Sequence, residues 1–570
     1  MLTTAPASDS TASAQTKKLL YLLLACGALL YARSLPYNFV YDDVIQIVRN
    51  RRITSWSYLP SYFTQQLWAG IQSASYYRPL LLLWMRVNYF FFGLNPVGWH
   101  GASVLLHLSA SALAFALARR LLRDDGAALA VAAIFLLHPL QVESVVWPSA
   151  ANETLAAIFI FASYLFFLQG REQPADLRAR VLSWMMFALA LLTKETAIIA
   201  PGMIACFAVL YPADPKKRVS FAVAAASPYA FILAGYLIVR KLVLAQVSPT
   251  EFRTDALTAI YTLPSVAWLY VKHLFVPVNL ALVYDTPYVE SISTTRFWLP
   301  LIFLAVIGVL AIWLWKRTRA AAIAVALIWL PVHLAVPLLT LPLFRNADLS
   351  HDRYLYVPLF GFALLVGYAW QHIRSPRLRD AALAALMLIY AVATWRQQRF
   401  WTDDAALFAR AEQVSPGAYL AKVLDGQELA RQKRYAEAVP LLEASVRQQP
   451  RGLAGLIVLA NARCEMGNVQ MAEELFARAL ALQPQSAETD YMLGLCRLSH
   501  GRPLEAIAPL QAAAEHFPEG MEYRLTLGSA LVQAGRKQEA IQQYRIAETL
   551  APESERTALR GYINRLSAGN

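Results

Sequence analysis

Two adjacent carboxylates, Asp42 and Asp43, directly follow the first long apolar segment of the chain. Carboxylates at a membrane boundary are costly to keep, and they usually take part in chemistry or bind charge. Carboxylates and cations that meet at one interface suit a reaction in which a base deprotonates an acceptor while cations hold a phosphate leaving group. Further polar side chains, in the loop of about residues 37–96 or near the ends of later apolar segments, could join them: Arg78, His138, Glu143, Lys194, Glu195, Arg345, Arg353, Tyr354 and Tyr356.

These polar residues also have structural interpretations. An Arg or Lys beside a membrane is often a snorkelling anchor, and Glu143 and Glu153 could cap a helix or pair with a cation. His100 and His107 lie seven residues apart, and we expect them to pack or form hydrogen bonds rather than bind a metal. The acidic pair has the weakest structural interpretation, because nothing near it in the sequence requires two carboxylates.

The elements that must position these groups are hydrophobic helices. The 570 residues are 57% hydrophobic and 16% charged, with a mean hydropathy of +0.40, which indicates an integral membrane protein with an added soluble part. Residues 1–17 are predicted to be a disordered N-terminus, 18–400 a transmembrane domain and 401–570 a separate domain. Eleven segments have the length and apolar character of spans, namely 18–36, 97–118, 126–142, 150–169, 180–194, 196–212, 219–240, 297–315, 320–343, 354–371 and 379–396.

The distribution of charge predicts an orientation. Residues 403–570 carry 18 Lys and Arg against 20 Asp and Glu, so the net charge of +13 arises in the membrane domain. Alternate loops there are basic, and the positive-inside rule places those loops and the N-terminus in the cytoplasm. The acidic pair, the other polar clusters and the C-terminal domain then lie outside, and membrane topology explains the basic excess without nucleic acid.

The C-terminal domain has an internal repeat. Prolines recur every 34 residues, which is the period of the tetratricopeptide repeat. Each unit is predicted to be a helix hairpin that stacks on its neighbours into an α-solenoid, a fold that indicates peptide or protein binding without naming the ligand. The positions that keep this period are Pro416, Pro450, Pro484, Pro518 and Pro552, Ala438, Ala472, Ala506 and Ala540, and Leu442, Phe476, Leu510 and Tyr544.

The four cysteines carry little information. Cys26 and Cys206 lie in predicted spans, where cysteine usually acts as a small apolar residue. Cys464 and Cys496 lie in the repeat domain, where we favour free thiols over a disulfide.

Several motifs, taken in order and followed by the repeats, resemble one family. They are the acidic pair, Tyr77-Arg78-Pro79-Leu80, Arg86-Val87-Asn88-Tyr89, Gly93-Leu94-Asn95-Pro96, His100, His107, His138-Pro139, Glu143-Ser144-Val145, Thr193-Lys194-Glu195 and Arg353-Tyr354-Leu355-Tyr356-Val357-Pro358. From about residue 30 to its end, the chain resembles the transmembrane and tetratricopeptide-repeat-containing O-mannosyltransferases. These belong to the C-type glycosyltransferases, which include the protein O-mannosyltransferases.

The resemblance implies an inverting enzyme that moves a sugar, mannose by analogy, from a polyprenyl monophosphate to Ser or Thr hydroxyls of proteins on the non-cytoplasmic side. It implies the bacterial inner membrane with periplasmic repeats, or the endoplasmic reticulum membrane with luminal repeats. We expect no obligatory cofactor, although an acidic pair can also bind a divalent metal. By analogy Asp42 is the general base and Asp43 its partner. The implied donor-binding residues are Arg353, Lys194, Arg345, Tyr354 and Tyr356, and the supporting residues are Arg78, His138, Glu143 and Glu195.

Other functions stay open at this point. A related enzyme could transfer a sugar to a lipid or glycan, or a whole oligosaccharide from a pyrophosphate lipid. From a different class, a membrane-anchored scaffold could use the solenoid to recruit partners for envelope assembly. Eleven spans and several outer polar clusters exceed what an anchor needs. A transporter is less favoured, because the polar residues crowd one face and do not line a path at the membrane midplane.

Overall fold

The computed structural model describes residues 13–69, 76–173, 175–211, 218–245, 254–343, 349–551 and 553–568. Over these residues all regular structure is helical and no strand occurs, which confirms the all-α fold class. The chain divides into two compact units, of which the first extends to Arg410 and the second begins at Ala411.

The first unit contains short 3₁₀ turns and sixteen described helices, the last of which continues into the second unit. They are α1 (Ala14–Tyr31), α2 (Leu59–Thr64), α3 (Pro79–Phe92), α4 (Pro96–Leu122), α5 (Asp125–Leu137), α6 (Val142–Val146), α7 (Ala151–Glu172), α8 (Leu177–Thr193), α9 (Ala200–Leu210), α10 (Arg218–Leu244), α11 (Ala256–Phe275), α12 (Thr295–Thr318), α13 (Ala321–Leu339), α14 (Leu359–Gln371), α15 (Pro376–Gln398) and α16 (Asp404–Val414).

Every predicted span overlaps one of these helices. By length and composition, six described helical segments could cross a membrane: Pro96–Leu122, Pro148–Glu172, Arg218–Leu244, Thr295–Thr318, Ala321–Leu343 and Pro376–Trp401. The count rises to seven if the bent pair that starts with α5 is one span. Among the others, α9 and α14 are shorter than a full bilayer crossing requires. The count of eleven spans therefore stays a prediction.

The helix at the predicted span 126–142 is shorter than the prediction. Helix α5 ends at Leu137, and helical chain resumes from Pro139 to Val146 at an angle of 51°. Proline lacks an amide hydrogen, and its ring clashes with the preceding turn of a helix. The break at His138 therefore separates the segment that carries Glu143 from the apolar helix before it.

The two longest regions between predicted spans of the membrane domain, residues 37–96 and 241–296, contain helices. Residues 37–96 include α3, whose 14 residues are too few to cross a membrane. Residues 241–296 include α11, in which Pro264, Lys272 and His273 interrupt the apolar pattern.

The second unit contains the predicted helix hairpins, followed by a final helix. They are α17 (Tyr419–Arg431) with α18 (Tyr435–Gln448), α19 (Leu453–Glu465) with α20 (Val469–Leu482), α21 (Ala487–Ser499) with α22 (Pro503–His516), α23 (Met521–Gln533) with α24 (Lys537–Leu550), and α25 (Glu553–Ser567). The four periodic alanines are fully buried. A methyl group on Gly494 would lie 2.5 Å from the side chain of Leu510, so glycine allows the close approach of the two helices in that hairpin.

Cys464 of α19 and Cys496 of α21 form a disulfide between successive repeats. The expectation of free thiols is therefore wrong. The two cysteines lie on the first helices of adjacent hairpins, which pack against each other, and this packing brings residues 32 positions apart within bonding reach.

Candidate functional site

The acidic pair lies in an unusual stretch of backbone. Tyr41 adopts a left-handed conformation with φ of 53°, and Val44–Val48 form a single turn of π-helix. Left-handed non-glycine residues and π-helical turns are both rare, and both occur often at functional sites. On this backbone the two adjacent carboxylates have different surroundings. Asp43 is fully buried, and Asp42 is half-buried.

Asp43 is held by the protein on both of its oxygens. The backbone amide and the hydroxyl of Ser149 donate to Oδ1 over 2.8 and 2.5 Å, and the amide of Val40 donates to Oδ2 over 3.1 Å. Burial raises the pKa of Asp43 to about 7, while the hydrogen bonds from Ser149 and Val40 limit the rise. Asp43 therefore links the segment that contains the acidic pair to the turn that precedes α7.

Asp42 accepts a hydrogen bond from its own helical turn. The side-chain amide of Gln46 donates to its Oδ2 over 3.4 Å, across one turn of the following helix. Because Asp42 is half-buried and Asp43 is fully buried, Asp42 is the member of the pair that a molecule outside the protein can reach.

The raised pKa of Asp43 predicts a pH-dependent contribution to stability. A carboxyl whose pKa is raised from 3.8 to about 7 binds its proton more tightly in the folded state than in the unfolded state. The stability that this proton adds is complete below the unfolded pKa and is lost as the pH rises to about 7. We expect the free energy of unfolding of the wild type, relative to Asp43→Asn, to fall between pH 4 and 7 and then level off. Thermal unfolding of both proteins in detergent at several pH values measures this difference. A difference that does not change with pH would contradict the raised pKa of Asp43.

Glu143 binds Arg353 through two contacts. The guanidinium Nη1 donates to Glu143 Oε1 over 2.5 Å, and the Arg353 amide donates to Oε2 over 3.1 Å. The guanidinium also lies 5.3 Å from the ring centroid of Trp147. Trp147 packs in turn against Tyr41, with the ring centroids 5.7 Å apart. Trp147 therefore contacts both Arg353 and the residue that precedes the acidic pair.

Lys194 and Glu153 form a buried ion pair, with only 4% and 6% of their side chains exposed. The Lys194 ammonium lies 5.2 Å from the ring centroid of Tyr354, and the Arg353 guanidinium lies 5.2 Å from that same ring. A small cavity of about 20 Å³, enough for a water molecule, is lined by Lys194, Glu153 and Tyr354 among others. Tyr354 is therefore flanked by two cations beside unfilled space.

Arg78 binds Glu195 with both arms of its guanidinium. Nε and Nη2 donate to the Glu195 carboxylate over 2.9 and 2.7 Å. The Asn152 amide, when its oxygen is oriented toward Arg78, accepts a third hydrogen bond over 3.1 Å. Bidentate Arg–carboxylate pairs are strong and fixed in geometry.

One short segment, residues 143–153, connects these groups. It holds Glu143, Ser149, Asn152 and Glu153, which bind Arg353, Asp43, Arg78 and Lys194 in that order. The structure thus brings together most of the predicted site residues. Each of the three cations is paired with a carboxylate, but a guanidinium has five N–H donors and can bind a phosphate oxygen as well.

Two further predicted residues, Tyr356 and His138, lie elsewhere. The Tyr356 hydroxyl lies 2.7 Å from His107 Nδ1 in the buried core. His138 is buried with Nε2 3.2 Å from the Leu274 carbonyl oxygen. Arg345 lies outside the described residues. The packing roles expected for His107 and for His100, which contacts the Tyr37 carbonyl oxygen over 3.1 Å, are confirmed.

Some residues of the site were not singled out from the sequence. Ser149 is one, and Asp404 is another, since its carboxylate accepts a 2.8 Å hydrogen bond from the Tyr41 amide. A third is Asp352, which accepts hydrogen bonds from Tyr284 over 2.7 Å and from His273 over 3.2 Å, if the Nδ1 of His273 carries a proton. All three are short polar residues, and nothing in the sequence indicated their partners.

Comparison with known proteins confirms the resemblance. A tetratricopeptide repeat family model matches residues 457–518 and 497–555. The chain is 25% identical to the protein O-mannosyl-transferase TMTC3 of Mus musculus over 81% of this chain and 55% of that protein. It is also 25% identical to Tmtc1 of Drosophila melanogaster, over 75% of this chain and 61% of that protein. The chain spans about half the length of the curated relatives it matches.

Among solved structures, a tetratricopeptide repeat protein from Thermus thermophilus is 22% identical. The match covers 32% of this chain and 94% of that protein, with a TM-score of 0.26.

Proposed function

We propose that this chain is a membrane glycosyltransferase that moves a mannosyl group from a polyprenyl monophosphate to Ser or Thr hydroxyls of proteins, with inversion. The main support is the difference between the two carboxylates of the acidic pair. Asp43 is buried and accepts protein hydrogen bonds on both oxygens, whereas Asp42 is half-buried. The relatives named protein O-mannosyl-transferases support mannose and a protein acceptor.

The reaction is a single displacement. The acceptor hydroxyl oxygen attacks the anomeric carbon, and Asp42 takes the hydroxyl proton as this bond forms. The bond between the anomeric carbon and the phosphate oxygen breaks, and its electron pair stays on the phosphate. Attack from the opposite face inverts the anomeric configuration. Phosphate is a good leaving group, so the reaction needs no general acid.

The cations on either side of Tyr354 are suited to the phosphate. Negative charge grows on the leaving phosphate in the transition state, and cations already fixed in place stabilise it without reorganising. Arg353 and Lys194 are fixed in this way, by Glu143 and Glu153. We therefore propose that the donor phosphate binds beside Tyr354, with Arg353 as a hydrogen-bond donor and Lys194 as a charge.

We further propose that transfer needs no divalent metal. Asp42 and Asp43 are poorly placed to bind a metal ion together. Both carboxylate oxygens of Asp43 already accept hydrogen bonds from the protein. We expect transfer to proceed at an unchanged rate in excess chelator.

We propose that the site and the repeats face a non-cytoplasmic compartment, the periplasm or the lumen of the endoplasmic reticulum. Disulfides persist in oxidising compartments, which supports this side for the domain that contains the Cys464–Cys496 bond. The solenoid would bind the acceptor protein.

Analysis of the products tests the proposal directly. Purified protein is incubated with polyprenyl-phosphate mannose and a Ser- and Thr-containing peptide, and the peptide is analysed by mass spectrometry with fragmentation that preserves glycosides. We expect one hexose on a hydroxyl residue. A hexose found only in the lipid or glycan fraction would favour the related transferases, and no transfer to any acceptor would favour the scaffold.

A further inference from the structure

A groove of about 490 Å³ lies at the C-terminal end of α15. Its volume falls within the range of sites for small molecules and lipids. One part of the groove is apolar and the other carries three arginines. The apolar part includes Leu388, Ile389 and Val392, and the basic part includes Arg396, Arg399 and Arg410.

The apolar part of the groove belongs to a helix that faces lipid. Residues Pro376–Trp401 are apolar enough to cross a membrane, and only 11% of their most apolar window is buried within the protein. Leu388 and Ile389 are 66% and 61% exposed. A helix with so little protein cover buries its apolar side chains against the hydrocarbon chains of the bilayer.

The other part of the groove concentrates positive charge. The Arg399 and Arg410 guanidinium carbons lie 4.7 and 4.5 Å from the ring centroid of Phe400, so both cations contact the same aromatic ring. Burial lowers the pKa of Arg410; Tyr284 opposes this change, and the nearby charge of Arg399 adds to it. None of the described residues that line the groove is acidic. The positive charges of these side chains attract an anion to this part of the groove.

The groove is built before any ligand arrives. The side-chain amide of Gln397 and the Arg410 Nε both donate to the carbonyl oxygen of Leu280, over 3.2 and 3.3 Å. These two bonds fasten the loop wall, which includes Val278 and Asn279, to the end of α15. A ligand would therefore meet a preformed site and would not have to order it.

We propose that this groove binds one anionic phospholipid. Its phosphate lies among Arg396, Arg399 and Arg410, and one acyl chain runs along Leu388, Ile389 and Val392. A guanidinium group can donate two parallel hydrogen bonds to phosphate oxygens, so three arginines at the end of an apolar helix suit a lipid with an anionic headgroup. One arginine would be explained as a snorkelling anchor, but three arginines around a preformed groove exceed that role. No carboxylate base lines it among the described residues, so the lipid is bound here and not used as a sugar donor.

Lipid retention in native mass spectrometry tests this site without reference to activity. Arg396→Gln/Arg399→Gln is compared with the wild type after extraction from nanodiscs that contain equal phosphatidylglycerol and phosphatidylcholine. The matched control is Arg374→Gln/Arg377→Gln, which removes the same charge from exposed arginines at the other end of the same helix. We expect the groove variant to lose phosphatidylglycerol retention about tenfold, consistent with the loss of one or two charge-assisted hydrogen bonds. The control should retain the wild-type amount.

Several results would overturn the proposal. Equal loss in the control would mean non-specific charge attraction, and no loss in the groove variant would place the lipid elsewhere. Displacement of the lipid by soluble glycerol phosphate would mean a site for free phosphate, and preferential retention of polyprenyl monophosphate would mean a donor site. If the double variant does not fold, Arg396→Lys/Arg399→Lys keeps the charge and loses only the paired donors. We then expect a smaller but measurable loss, and full retention would contradict the site.

Discussion

Asp42→Asn is expected to lower the turnover number for mannosyl transfer by about 10²- to 10⁴-fold, the usual contribution of a general base. The amide has the size of the carboxylate but cannot accept the hydroxyl proton. The Michaelis constant for the donor should change little, because the cations assigned to the phosphate are Arg353 and Lys194, which stay in place. Initial rates of peptide mannosylation at several donor concentrations measure both constants.

Asp43→Asn is the matched control for that experiment. Asp43 accepts hydrogen bonds from Ser149 and Val40 and holds the loop, so its replacement should lower thermal stability. We expect its turnover number to fall less than that of Asp42→Asn in the fraction that remains folded. The reverse order, with Asp43→Asn inactive and Asp42→Asn active, would make Asp43 the base and reject the assignment.

Features that repeat along the chain could be predicted from the sequence. The 34-residue period located the helix hairpins, and the burial of Ala438 and its periodic equivalents follows from it. Long apolar segments located eleven helices of the first unit, because a long apolar run in a membrane protein has few alternatives to a helix. Helices such as α3 and α11 were missed, because their apolar runs are short or interrupted. The ends of those runs marked the polar residues from which the site is built.

Pairing within the site could not be predicted, because it depends on contacts between distant segments. Arg78 binds Glu195, 117 residues away, although Glu153 or Glu143 carries the same charge. The link between Asp43 and Ser149 spans 106 residues and involves a serine that no local pattern distinguishes. Helix packing decides among such partners, and sequence composition does not.

Lys194→Met is expected to lower the free energy of unfolding by about 3–5 kcal/mol, the usual cost of leaving one charge of a buried pair without its partner. Glu153 is almost fully buried, so water cannot replace the lost ammonium group. Denaturation of the detergent-solubilised protein measures the change. Arg78→Met offers a comparison, since Arg78 and Glu195 are more exposed, at 14% and 22%, and their separation should cost less.

The double variant Lys194→Met/Glu153→Gln separates the structural role of Lys194 from its proposed role in donor binding. It removes both charges, and replacing a buried ion pair by groups of similar size is often close to neutral for stability. We therefore expect it to recover most of the stability that Lys194→Met loses. If Lys194 also balances the donor phosphate, the stable double variant should still bind polyprenyl phosphate about tenfold more weakly, since one charge-assisted contact is lost. Recovery of both stability and donor affinity would restrict Lys194 to holding the helices together and leave Arg353 as the phosphate ligand.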